Sequence, residues 1–258
     1  MTNNPRLIDD HFAFLSADLS GRVIYGTDAS IVEYPFAASL RRNNRHICGG
    51  SILTQYWILT AAHCLSRFTS PFELSIQVGR TTISRLVDSS VYQADRFVVH
   101  PWYDKENSLI NDIALVKLMD PLEFSEMVQP VRLPPLCYEV EEPNSKVTVI
   151  GWGRTETGNI SEILQKLHYF VIPNSVCSQL HSTWIKPTQI CTAYPGPYKG
   201  DSGGPLMHQG LQVGIVSWGR KPLPGVLTKV SQYIKFIYMH TDLALDDVEF
   251  LPCFQEGL

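Results

Sequence analysis

The chain has 258 residues, enough for one large domain or two small ones. With 44% hydrophobic and 18% charged residues it can bury a core, and a formal net charge of −4 gives no electrostatic footing for nucleic acid. No apolar run approaches the ~18 residues needed to cross a bilayer, so no membrane span is expected. Met1 to Asp10 is polar and acidic without an apolar stretch, so it does not read as a signal peptide. Either the natural start lies upstream, or the form is an unusual isoform, or the chain was trimmed. Helical periodicity is scarce. Short β-rich runs dominate: Ile47 to Leu53, Trp57 to Ala62, Leu74 to Gly79, Val91 to Val99 and Ile113 to Leu118. Met127 to Pro135 is proline-rich and reads as the connection between two halves of similar size. Further runs follow at Val147 to Trp152, Leu167 to Ile172 and Leu211 to Trp218. This spacing of strands and turns predicts an all-β sandwich or barrel. Ser231 can cap a helix over Tyr233 to Met239, and an acidic tail follows.

Three short stretches carry the chemistry. Thr60-Ala-Ala-His-Cys64 contributes His63, Asn111-Asp-Ile-Ala-Leu115 contributes Asp112, and Gly200-Asp-Ser-Gly-Gly-Pro205 contributes Ser202. A serine hydroxyl is barely nucleophilic at neutral pH; it needs a base within hydrogen-bond reach, and the base needs its tautomer fixed. The N–H groups of Gly200 and Ser202 could form an oxyanion hole. Each piece alone has an ordinary reading: a glycine turn, a core histidine, a capping aspartate. Gly200-x-Ser202-x-Gly204 also matches a nucleophile elbow, but that fold runs its triad as serine, acid, histidine. Here the order is histidine, acid, serine, and no βαβ pattern follows Ser202.

With these motifs in place, the sequence resembles the chymotrypsin/trypsin-like serine proteases, whose triad is the worked template for this chemistry. The likeness runs from Arg22 to about His240. It rests on Arg22-Val-Ile-Tyr-Gly26, Cys48 to Leu53, Trp57 to Cys64, His100-Pro-Trp-Tyr103 and Asn111 to Leu118. In the second half it rests on Gly151-Trp-Gly153, Gly200 to Leu206, Val216 to Gly219 and Pro224 to Val230. The resemblance implies two packed six-stranded antiparallel β-barrels with a C-terminal helix. It divides the chain into a pro-segment at 1–22 and a peptidase domain at 23–258. Within that domain, barrel one covers about 23–125, barrel two about 136–230, the helix about 231–241 and the tail 242–258. It implies that His63, Asp112 and Ser202 form the triad and that Ser217 hydrogen-bonds the aspartate. Ser217-Trp218-Gly219 would pair with an extended substrate. Cleavage after Arg22 would free the Val23 amine to pair with Asp201.

Six cysteines suit disulfides in an oxidising compartment, and six allow 15 connectivities. The resemblance implies Cys48–Cys64 and Cys177–Cys191. Cys137 and Cys253 remain; they pair with each other, stay as free thiols, or find another partner. Tyr198 stands where many relatives have cysteine, and its usual partner after Trp218 is also missing. The stretch around Tyr198 and Lys199 looks locally like granzymes, chymases and cathepsin G. Alignment through Gly200 makes Gly196 the pocket floor, with Gly219 and Gly225 as walls. No carboxylate lies between Cys191 and Lys199, so cleavage after aromatic or large apolar residues is expected rather than after Arg or Lys. A basic rim of Lys199, Arg220 and Lys221 either favours nearby acidic residues or is simply solvated.

No cofactor or metal is expected: the loop from Arg80 to Ser90 offers Asp88 where the family's calcium loop uses paired glutamates. Asn159-Ile-Ser161 is a glycosylation acceptor. The expectation is a secreted, monomeric serine endopeptidase made as a zymogen. Its partners would be a protein or peptide substrate, an activating protease and protein inhibitors. The alternative is a catalytically silent protease-like binding protein.

Overall fold

The computed structural model describes residues 26–83, 85, 87–140, 145–154, 158–193, 200–220 and 222–244. The first barrel is built from β2 (Ala37–Arg42), β3 (Arg45–Ile52), β4 (Trp57–Thr60), β5 (Leu74–Gln77), β6 (Val91–Val99) and β7 (Ala114–Leu118). These strands close in the order β2-β3-β4-β7-β6-β5, so neither edge is left unpaired. Asn43 and Asn44 turn the β2–β3 hairpin with φ of 49° and 59°. Asparagine tolerates that left-handed conformation, and two such residues match the twist of a tight hairpin.

The second barrel uses β8 (Lys146–Gly151), β9 (Gln165–Ile172), β10 (Gln189–Thr192), β11 (Pro205–His208), β12 (Leu211–Gly219) and β13 (Gly225–Lys229). It closes because β9 pairs with both β8 and β10. The fold is therefore two closed six-stranded antiparallel barrels, as the resemblance implied. The short β1 (Thr27–Asp28) adds to β9, so the start of the described chain is pinned to the second barrel. Three helices are described: α1 (Ala62–Leu65), α2 (Asn174–His181) and α3 (Ile234–His240). The turn before α3, Val230–Tyr233, is a 3-10 helix, so the C-terminal helix is tighter at its entry than its sequence pattern suggests.

A hydrophobic core fills each barrel, and a smaller cluster of Ile172, Cys177, Ile185, Cys191, Ala193 and Val226 lies against α2. One core fills the first barrel with Leu40, Ile52, Ile58, Leu59, Ile76 and Leu115, and Ile234 and Ile237 of α3 join it. The C-terminal helix thus packs with the barrel from which it is most distant in sequence. The other core fills the second barrel with Val147, Val149, Val171, Leu206, Val213 and Leu227. Between the barrels, the buried Ser51 hydroxyl donates to Gln212 Oε1 at 2.5 Å. Cys48–Cys64 and Cys177–Cys191 are disulfides. Cys137 is disulfide-bonded as well, and its expected partner Cys253 lies outside the described residues.

Gly50 shows how tightly the first barrel is filled. A Cβ there would sit 2.9 Å from Leu40 Cδ1 and from the Leu59 carbonyl oxygen. Gly50→Ala is expected to cost about 2 kcal/mol by overpacking, read as a lower denaturation midpoint. An unchanged midpoint would contradict this account of the barrel interior.

Candidate active site

The site lies where the two barrels meet. His63 sits in α1, one residue before the cysteine that staples this turn to β3. Asp112 precedes β7 and is fully buried. Its carboxylate accepts from the His63 backbone N–H at 2.8 Å, from His63 Nδ1 at 2.7 Å and from Ser217 Oγ at 2.5 Å. A carboxylate can only accept, so the proton of neutral His63 resides on Nδ1. Nε2 is then left with a lone pair, which is what a general base requires. Burial with the Asp112 charge close by pushes the Tyr103 phenol up to about 12, so Tyr103 stays neutral beside it.

Residues to which the sequence assigned no role at the site hold this loop. Thr228 Oγ1 donates to the Asp112 carbonyl oxygen at 2.9 Å. Asn111 takes φ of 57°, and its side chain accepts from Tyr233 Oη at 2.9 Å and donates to the Trp102 carbonyl oxygen at 2.6 Å. Local motifs gave no signal for these roles, because Thr228 and Tyr233 lie far from Asp112 in the chain.

Ser202 follows the sharp turn at Gly200 and Asp201. Its carbonyl oxygen accepts from the Gly49 N–H at 2.8 Å. Gly203, with φ of 78°, passes so close to barrel one that a Cβ would meet the Gly49 carbonyl oxygen at 2.6 Å. Glycine is thus required there both by backbone conformation and by space. Among the described residues, neither the Gly200 N–H nor the Ser202 N–H has an acceptor. No hydrogen bond joins Ser202 Oγ to His63 Nε2 in this conformation, and Nε2 lies 3.8 Å from Cys64 Sγ. Cys48, His63 and Cys64 cluster closely enough to suggest a metal site, but both sulfurs are consumed in the disulfide.

Asp201 is buried, and its Oδ1 accepts from the Gly153 N–H at 2.9 Å. The preceding carbonyl, that of Gly200, accepts from His46 Nε2 at 2.9 Å, while His46 Nδ1 meets Ser39 Oγ at 2.8 Å. Since a carbonyl only accepts, the His46 proton is on Nε2. On the substrate side, β11 pairs with β12 no further than Ile215. Trp218 and Gly219 pair with Val226 and Gly225 of β13 on one side, Ser217 falls in the bulge before them, and the other edge is open among the described residues. The His181 ring lies 4.9 Å from the Trp218 ring, and its Nε2 donates to the Pro224 carbonyl oxygen at 3.0 Å. Asn159 is on an exposed bend. Arg22, Val23, Gly196, Tyr198 and Lys199 lie outside the described residues.

A family model described as Trypsin matches residues 23–237. Among curated proteins, a trypsin from Phaedon cochleariae is 34% identical over 233 residues, covering 86% of this chain and 89% of that protein. Among solved structures, the crystal structure of the scabies mite inactivated protease paralogue S-D1 matches with a TM-score of 0.76 and 25% identity. That match covers 84% of this chain and 96% of the other.

Burial drives the His46 pKa from 6.5 down to about 4. The folded value is depressed, so the unfolded chain binds the extra proton between those two pH values. The contribution to stability is complete above pH 6.5 and is lost as pH falls toward 4. His46→Gln should flatten that acid-side loss by on the order of 2 kcal/mol, measured by denaturation across pH 4 to 7. Parallel profiles for the two proteins would refute the assignment.

Proposed function

The chain belongs to the trypsin family of serine proteases, and on that premise we propose that it is a secreted serine endopeptidase activated by cleavage after Arg22. The observation that carries this reading is the Asp112 carboxylate, buried and hydrogen-bonded by two groups of His63 and by Ser217. It fixes the base with its lone pair on Nε2. His63 takes the Ser202 proton as Oγ attacks the substrate carbonyl carbon. The C–O bond forms, and negative charge gathers on the carbonyl oxygen. The free N–H groups of Gly200 and Ser202 receive that charge. Protonated His63 then gives its proton to the departing amine, the C–N bond breaks, and an acyl-enzyme remains. Water repeats the sequence and releases the acid. The imidazolium formed in each half-reaction is balanced by Asp112, which stays ionised. An extended substrate would add to the open edge at Ser217 to Gly219 through main-chain hydrogen bonds.

Activation follows from Asp201. A buried carboxylate needs strong partners, and the new Val23 ammonium would supply one in addition to the Gly153 N–H. Ordering Asp201 orders the turn that aims the Gly200 and Ser202 amides. Gly196 and Tyr198 would form an uncharged pocket floor, with Lys199 on its basic rim and Gly219 and Gly225 as walls. No carboxylate is present there to receive Arg or Lys, which favours aromatic or large apolar residues before the scissile bond.

A second reading has support of its own. Ser202 makes no hydrogen bond to His63 here, and one structural neighbour is an inactivated protease paralogue. On that reading the chain binds without cutting. Fluorophosphonate labelling separates the two: cleaved protein should label at Ser202, and Ser202→Ala should not label. Failure of the cleaved protein to label would favour the binding reading. Asp112→Asn should lower kcat by roughly 10⁴-fold while leaving the fold intact, since the histidine tautomer would no longer be imposed. N-terminal sequencing of active material should return Val23; activity from a chain beginning at Met1 would refute the zymogen step.

A further inference from the structure

We infer that this site selects peptides carrying a carboxylate within the first three residues after the scissile bond, held by Arg45 and Arg67. The inference rests on the protease reading above and concerns the departing half of the substrate. His63 must hand its proton to the leaving nitrogen, so that half runs out over Nε2. There the neighbouring group is Cys64 Sγ, 3.8 Å from Nε2 and bonded to Cys48. The departing peptide therefore crosses the disulfide that joins β3 to α1.

The charge on those two segments is one-sided. Residues 34–72 contain four arginines and no Asp or Glu, although acidic residues outnumber basic ones, 25 to 21, in the whole chain. Arg41 is buried and donates to the Asn44 carbonyl oxygen. Arg42 is neutralised by Glu73 at 2.6 Å and lies over the Phe68 ring at 5.2 Å, which draws the loop after α1 against the β2–β3 hairpin. Arg45 and Arg67 remain exposed, and neither has a carboxylate partner among the described residues. Each lies three residues from a cysteine of the disulfide, one along β3 and one beyond α1. Three residues of extended peptide span about 10 Å, the same reach as Cys48 to Arg45 along its strand. A substrate carboxylate in that span meets two guanidinium groups whose fork geometry suits it.

The test uses the full chain, activated by limited proteolysis, and quenched fluorescent peptides identical up to the scissile bond. They differ only in the next three residues: Asp and Glu, all Ala, or Lys. The expected kcat/KM is about five- to tenfold higher for the acidic peptide than for the Ala peptide, and lower still for the Lys peptide. The acidic preference should shrink as salt is raised from 0.05 to 0.5 M. The double variant Arg45→Glu/Arg67→Glu should reverse the order of the acidic and Lys peptides. Equal rates for all three peptides overturn the inference, as does an acidic preference that survives in the double variant. Binding of a sulfated polysaccharide without any discrimination among the peptides also overturns it and reassigns the arginines. If no peptide is cut and Ser202 does not label, the protease reading fails instead. The same peptides then serve as ligands in fluorescence anisotropy, where tighter binding of the acidic peptide upholds the charge assignment and equal affinities reject it.

Discussion

Everything at this site hangs on one buried negative charge. Removing a carboxylate from water is expensive, and the cost is bearable only where donors surround it. Asp112 collects those donors from both barrels: the backbone and ring of His63 on one side, the Ser217 hydroxyl on the other. Its own carbonyl is claimed by Thr228 of β13. Satisfying the charge and docking the barrels are therefore the same event. The base acquires its tautomer as a by-product of satisfying the charge.

The nucleophile turn obeys a parallel logic with steric close approach in place of charge. Ser202 is tied to barrel one through the Gly49 N–H, and Gly203 presses against the Gly49 carbonyl. His46 grips the carbonyl of Gly200 from the same hairpin. The serine belongs to the second half of the sequence, yet the first half helps to set its position. Preorganised amides depend on such fixed backbones, because an N–H that must reorient during reaction gives up much of its electrostatic benefit.

How much of this was legible beforehand follows from chain distance. Long runs such as Val91 to Val99 and Leu211 to Trp218 announce themselves as strands through β-branched and aromatic content. The strands β2, β10, β11 and β13 are short and open on Ala37, Gln189, Pro205 and Gly225, which are weak strand formers, so tertiary pairing defines them instead. Helix α2 buries only Cys177, so it lacks an apolar stripe to read. His63, Asp112 and Ser202 were visible because each sits in a distinctive local motif. Thr228, Tyr233 and His46 were not, because their partners lie 116, 122 and 154 residues away. The expected pocket floor and the Arg22 junction fall outside the described residues and remain expectations.

The contact between Gly49 and the Ser202 turn carries a lesson for recombination. The proline-rich stretch from Met127 to Pro135 looks like a natural seam at which halves of two relatives might be exchanged. Such a chimera would keep two barrel frameworks, although α3 and residues such as Ile150 and Ile215 of the second half share the first core. It would still have to rematch a glycine hairpin to a glycine turn with no side chain available to absorb a shift of a few tenths of an ångström. Modularity in this architecture ends at the cleft, and the two halves are bound to diverge as a pair.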